Sequence, residues 1–145
     1  MTSVSAVRAV RPGRRTPGSA GTTRSEEAGR PARLGRRGED LAAEHLRRQG
    51  LTVLERNWRC REGEIDVLAT DGRTLIVCEV KTRSGRGYGS PAESVTPEKR
   101  NRIRSLALRW LAARRVAWCP LRFDVIAIDC PPQGTPVLRH LVGAF

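Results

Sequence analysis

A chain of 145 residues with 27 basic against 15 acidic side chains has room for one domain, and its net charge of +12 favours a polyanionic partner, nucleic acid first and an acidic membrane surface second. No apolar run approaches the roughly 18 residues of a spanning helix, so a soluble protein is expected. The four cysteines, Cys60, Cys78, Cys119 and Cys130, form no CxxC pair and have only His45 and His140 to join them, so zinc has no case and a reducing, cytoplasmic setting is expected.

Residues 1–33 are rich in Arg, Ser, Thr, Gly and Pro, show no apolar period and read as a disordered basic tail ahead of a domain spanning residues 34–145. Leu34 to Gln49 reads as a first helix, closed by Gly50. Glu39, Ala42, Ala43 and Leu46 share its inward face, while Asp40, Glu44, Arg47 and Arg48 take the wetter side. A glutamate at the start of that face can sit against the dipole of the first helix turn. His45 reads as a packed or edge histidine. Leu51 to Trp58 alternates as an edge strand, with Trp58 packed on the sheet, and a polar link follows to Gly63.

Gly63 to Arg83 is the one stretch where acidic residues gather inside strand-like apolar sequence. Ile65, Val67 and Ala69 alternate with Glu64, Asp66 and Leu68, and Leu75 to Lys81 continues with a period of two around an Asp71-Gly72 turn. With a two-residue loop, Asp66 faces Val77 and Glu64 faces Glu79, so Asp66, Glu79 and Lys81 share a sheet face, the two acids as diagonal neighbours roughly 7 to 8 Å apart. Two carboxylates so placed repel each other and any phosphate unless a hard divalent cation lies between them. A solvated surface also fits charges on one hairpin face. The apolar flank Leu75 to Cys78 favours a site, because charge at the end of a buried strand is costly unless paired or metal-bound.

Ser84 to Thr96 reads as a mobile Gly-rich loop in which Arg86 and Tyr88, with Arg83 just before it, are suited to closing over a nucleic-acid backbone. Thr96-Pro97 starts a second helix with Ile103, Leu106, Ala107, Trp110 and Leu111 at helical spacing, and its remaining surface, Lys99, Arg100 and Arg102 foremost, reads as a backbone-binding face. Leu121 to Asp129 reads as a central or parallel strand in which Arg122 can pair with Asp124. Val137 to Phe145 is expected to add a last strand or to pack on the core.

Asp66, then Glu79-Val80-Lys81, resembles the D…(D/E)xK signature of the PD-(D/E)XK nuclease superfamily, which has a restriction-endonuclease-like fold and includes archaeal Holliday junction resolvases. The wider set GRRGEDLAAEHL, GEIDVLA, CEVKTR, Tyr88-Gly89 and RFDVIAID is similar to the YraN family, small bacterial proteins of endonuclease-like type, over about Leu34 to Phe145. Ile65 stands where the superfamily name has proline, and Cys78 where the family is expected to be aromatic. The resemblance implies an α/β three-layer sandwich with a mixed sheet between helices. It also implies a DNA endonuclease in which Asp66, Glu79 and the Val80 carbonyl hold Mg²⁺ or Mn²⁺, Lys81 handles the attacking water, and Glu39 completes the acidic ring. Resolvases cut as dimers, which implies a homodimer. The rival expectation is a nucleic-acid-binding adaptor whose acidic site is silent.

Overall fold

The computed structural model describes residues 29–84 and 95–145. The expectations for the basic tail up to residue 28, and for Arg86 and Tyr88, lie outside the described residues. In chain order the elements are α1 (Gly29–Arg48), β1 (Thr52–Cys60), β2 (Gly63–Thr70), β3 (Leu75–Arg83), α2 (Pro97–Ala113), β4 (Leu121–Asp129) and β5 (Val137–Leu141). The first helix thus begins at Gly29 rather than Leu34. β1 runs through the expected polar link to Cys60, because Trp58, Arg59 and Cys60 find partners in Ile65, Glu64 and Gly63 and close a second hairpin.

The strands form one five-stranded sheet in the order β1-β2-β3-β4-β5, with β1 at one edge. Neighbours are antiparallel except β3 and β4, which are parallel and joined through α2, as a parallel pair requires. Among the described residues one helix lies on each face. Ala42 and Leu46 of α1 pack with Val67, Ala69, Ile76, Cys78, Ile126, Ile128 and Cys130. Ile103, Leu106, Ala107, Trp110 and Leu111 of α2 pack with Leu54, Ile65, Leu68, Leu75, Val77, Phe123 and Cys119. The result is a restriction-endonuclease-like three-layer α/β sandwich with two separate cores, and among the described residues no helix is long and apolar enough to cross a membrane.

Both helices are fixed where they matter to the site. Thr96 caps α2, its hydroxyl accepting from the Lys99 N–H at 3.2 Å, and Pro97 follows where a missing N–H costs nothing. Trp110, fully buried, donates its indole N–H to Glu55 on β1 at 2.8 Å. On the other face Gly38 lets α1 touch β3, since a Cβ there would stand 1.9 Å from the Thr82 hydroxyl oxygen. Gly38→Ala is expected to cost about 1 to 3 kcal/mol by overpacking, with Thr82→Ala restoring part of it in denaturant melts of the double variant.

The β4–β5 side is held by a buried carboxylate. Asp124, with no exposed surface, accepts from Arg122 at 3.0 and 2.8 Å, from His140 Nε2 at 2.7 Å and from the Gly143 N–H at 2.9 Å. The other ring nitrogen of His140 meets His45 Nε2 of α1 at 3.0 Å, with the rings edge-to-face. Burial alone would raise the Asp124 carboxyl, but the bonds from His140, Arg122 and Gly143 outweigh it and hold the group down at about 2. The expected Arg122–Asp124 pair is therefore one part of a network tying β4, β5 and α1 together. β5 is the last strand, and Phe145 beyond it stacks on Phe123 with ring centroids 5.1 Å apart.

Candidate metal centre

Two local departures from ideal strand geometry build the site. The β2–β3 turn spans four residues rather than two, with Thr70 paired to Leu75 and Val67 to Cys78. The longer loop is stabilised by side chains: Asp71 accepts from the Arg73 and Thr74 N–H groups at 2.8 Å each. The Thr70 hydroxyl accepts from the Gly72 N–H at 2.9 Å and donates to the Thr74 carbonyl at 2.8 Å, while Gly72 takes the positive φ of 96°. The expected pairing of Asp66 with Val77 is thereby corrected by two residues. A shift of two preserves the faces, and the same register continued one step would set Asp66 against Glu79.

The second departure is a break in the alternation of β2. Val67 and Ala69 face α1, yet Ile65 faces α2 together with Leu68, which an unbroken period of two forbids. The break falls at Asp66. On β1, Arg56 pairs with Val67 and Trp58 with Ile65, and the intervening Asn57 adopts a φ of 53°, a left-handed conformation that asparagine tolerates better than most residues. The β2–β3 ladder ends in the same place, at Val67 and Cys78, and the Asp66 carboxylate accepts the Val80 N–H at 2.8 Å.

This reversal carries Glu64 to the α1 side, where Glu39 projects from the helix face that Gly38 brings against β3. Glu39, Glu64 and Asp66, all half-buried, each offer an oxygen within 4.8 Å of the others. Burial, then the charge of Glu79, raises the Asp66 carboxyl to about 7 against the pull of the Val80 hydrogen bond, with Glu39 and Glu64 adding to the rise. A cluster of carboxylates that offers only oxygen donors, with Asp66 raised at its centre, suits a hard divalent cation of the Mg²⁺ or Mn²⁺ type.

Glu79 does not join that triad. Its Oε1 lies 3.1 Å from Lys99 Nζ and 3.6 Å from Lys81 Nζ. Burial, then the neighbouring Lys99 ammonium, lowers the pKa of Lys81. Of the expected set, then, the structure brings Glu39 and Asp66 together, sets Glu79 and Lys81 beside them, and reaches Val80 through its N–H. Glu64 was not singled out, although the expected register set it opposite Glu79 and its parity matched that of Asp66; an unbroken strand would have turned it away from Glu39.

Of the residues expected to hold a nucleic-acid backbone, Lys99 sits in the site itself. Arg100 donates to the Val95 carbonyl at 3.3 Å and covers the Phe145 ring at 5.6 Å. Arg102 is exposed on α2, and Arg83 ends β3 half-buried. Two further cations are taken up locally, Arg109 of α2 by Glu62 at 3.1 Å and Arg114, just past the helix, by Glu55.

The model of the uncharacterised protein family UPF0102 matches residues 38–128, which spans α1 from Gly38 through to β4. A UPF0102 protein of Acidothermus cellulolyticus is 51% identical over 136 residues, covering 87% of this chain and 99% of that protein. One of Frankia casuarinae is 54% identical over 112 residues, covering 77% and 95%, and one of Nocardia farcinica is 51% identical over 112 residues, covering 77% and 88%. On the strength of those matches, together with a sandwich fold that agrees with the PD-(D/E)XK superfamily, the chain belongs to the UPF0102, or YraN, family.

Proposed function

We propose that the protein is a cytoplasmic, divalent-cation-dependent endonuclease that hydrolyses phosphodiester bonds in DNA. The observation that carries this reading is the convergence of Glu39, Glu64 and Asp66 within 4.8 Å where β2 and β3 part, with Glu79 and Lys81 on the adjoining strand. The net charge of +12 supports a polyanionic substrate, and the four free cysteines suit a reducing compartment.

Glu39, Glu64 and Asp66 would hold the cation, with Glu79 and the Val80 carbonyl the additional donors that the superfamily resemblance implies. A cation bound there supplies Lewis-acid polarisation of the phosphoryl oxygen and charge stabilisation of the leaving oxygen. The protein's own part is positional. The Asp66–Val80 hydrogen bond fixes one carboxylate at the mouth of the split sheet. Lys81, its pKa lowered, can take a proton from an attacking water or hold it in line. Exposed arginines such as Arg102 on α2 would contact the backbone and set the register of the strand.

One observation favours the rival reading of a nucleic-acid-binding adaptor: the Glu79 carboxylate is turned to two lysines instead of to the other acids. A panel of duplex, flap, single-stranded and four-way-junction DNA, incubated with Mg²⁺, Mn²⁺ or chelator, separates the two. Cleavage that needs the cation and is lost in Lys81→Ala, with binding retained, is expected. Salt-sensitive binding indifferent to chelator, without cleavage on any substrate, would establish the adaptor instead.

A further inference from the structure

The chain contains 25 arginines and only 2 lysines, Lys81 and Lys99. These two come from different elements, one from the end of β3 and one from the first turn of α2, and both ammonium groups approach the same oxygen, Glu79 Oε1, at 3.6 and 3.1 Å. A sequence that uses arginine for nearly every positive charge keeps lysine only at one carboxylate. The chemistry of the two cations accounts for the exception. A guanidinium is a planar fork that locks a carboxylate in a two-point grip, whereas an ammonium is a compact, strongly hydrated point charge that shares one oxygen and can let it go.

Resting on the reading of the acidic cluster as a cation site, we propose that Lys99 is a positioning residue that, together with Lys81, keeps the Glu79 carboxylate turned out of the Glu39, Glu64 and Asp66 triad and competes with a divalent cation for that carboxylate. The local geometry supports this. Glu39, Glu64 and Asp66 lie within 4.8 Å of one another, while Glu79, near enough for its charge to act on Asp66, is turned to Lys99 at 3.1 Å and Lys81 at 3.6 Å. The backbone of Lys99 is anchored, its N–H given to the Thr96 cap, so its ammonium is delivered to Glu79 from a fixed helix terminus. Glu79 is the least exposed member of the group, with 15% of its side chain accessible against 32% for Lys99 and 29% for Lys81. A carboxylate so enclosed is costly to leave unpaired. In the absence of a metal the two lysines fill that need. A backbone phosphate arriving at the site attracts the same two ammonium groups, so nucleic acid and cation each weaken the lysine hold on Glu79 and thereby favour one another.

The test uses the full chain without nucleic acid. Mn²⁺ binding, followed by the loss of the free-ion electron paramagnetic resonance signal, is expected to tighten roughly two- to fivefold in Lys99→Met, the scale of a partly exposed ion pair. A merely structural lysine would leave affinity unchanged or weaken it, and either result overturns the inference. Nonspecific loss of a positive charge is separated by a second measurement. Because there are only two lysines, ¹⁵N-lysine labelling gives two side-chain signals, and the Lys99 signal is expected to shift on Glu79→Gln and, in the wild type, on addition of Mg²⁺. A Lys99 signal indifferent to both would refute the proposal even if Mn²⁺ affinity rose. Wild-type protein that takes up no Mn²⁺ would overturn the cation-dependent reading along with this one, whereas uptake that Lys99→Met leaves unaltered would overturn this one alone.

Discussion

Replacing Asp66 with asparagine is expected to remove the cleavage proposed for the protein while making its cation-free form more stable. Loss of the central carboxylate should lower the cleavage rate by about three orders of magnitude, equivalent to roughly 4 kcal/mol of transition-state stabilisation. Stability moves the other way because the folded carboxyl keeps its proton up to about pH 7, whereas the unfolded one releases it near 3.8. Between those values the fold binds the extra proton, so the cation-free protein weakens as pH rises through the window, by on the order of 4 kcal/mol. Asparagine has no proton to lose. In thermal melts with chelator, Asp66→Asn should unfold at a higher temperature than wild type at about pH 8 and at nearly the same temperature at about pH 4. A variant that melts lower than wild type at the higher pH would show that Asp66 is held by favourable contacts and is not strained by its acidic neighbours.

Asp124→Ala should be among the most damaging single substitutions in the fold. It leaves Arg122, His140 and the Gly143 N–H without the carboxylate they share, a loss on the order of 3 to 5 kcal/mol for a buried charge pair. A fall in melting temperature of about 15 °C or more follows for a domain of this size. The pH dependence has the opposite sign to that of Asp66. Its folded pKa, held at about 2, lies below the unfolded 3.8, so the stabilisation is complete above about pH 4 and disappears as pH falls through 2. Acid melts of wild type and of Asp124→Asn should converge toward the low end of that range. Parallel curves would assign the buried network a smaller share of stability than its geometry indicates.

Much of the fold was legible because it rests on patterns that survive small errors of register. The strand Leu121–Asp129 has the residue bounds that its apolar run indicated, and the inward face of Ala42, Ala43 and Leu46 is fully buried as helical spacing required. The hairpin reading misplaced the pairing by two residues without disturbing which residues share a face in β3, because side-chain direction depends only on whether the slip is odd or even. The turn length was illegible from Asp71-Gly72 alone: the Thr70 hydroxyl and Asp71 carboxylate stabilise a wider loop through bonds that the dipeptide does not announce.

The composition of the acidic site was harder to read for a related reason. Alternation is a rule about uninterrupted strands, and β2 is interrupted at Asp66, opposite the left-handed Asn57. That one reversal brings Glu64 to Glu39, while Glu79, on the unbroken alternation of β3, stays with the lysines. An asparagine in a strand is only a weak sign of such a break, because its backbone preference is decided by the neighbouring strand and not by the dipeptide around it.

The division of the interior into two layers has a practical corollary. Cys119 lies in the layer beneath α2, whereas Cys78 and Cys130 lie in the layer beneath α1, and all three are unpaired thiols shut away from solvent. Each compartment therefore carries its own chemical reporter, silent toward alkylating reagents until the layer that hides it comes apart. The order in which the thiols become reactive tells which half of the molecule loosens first.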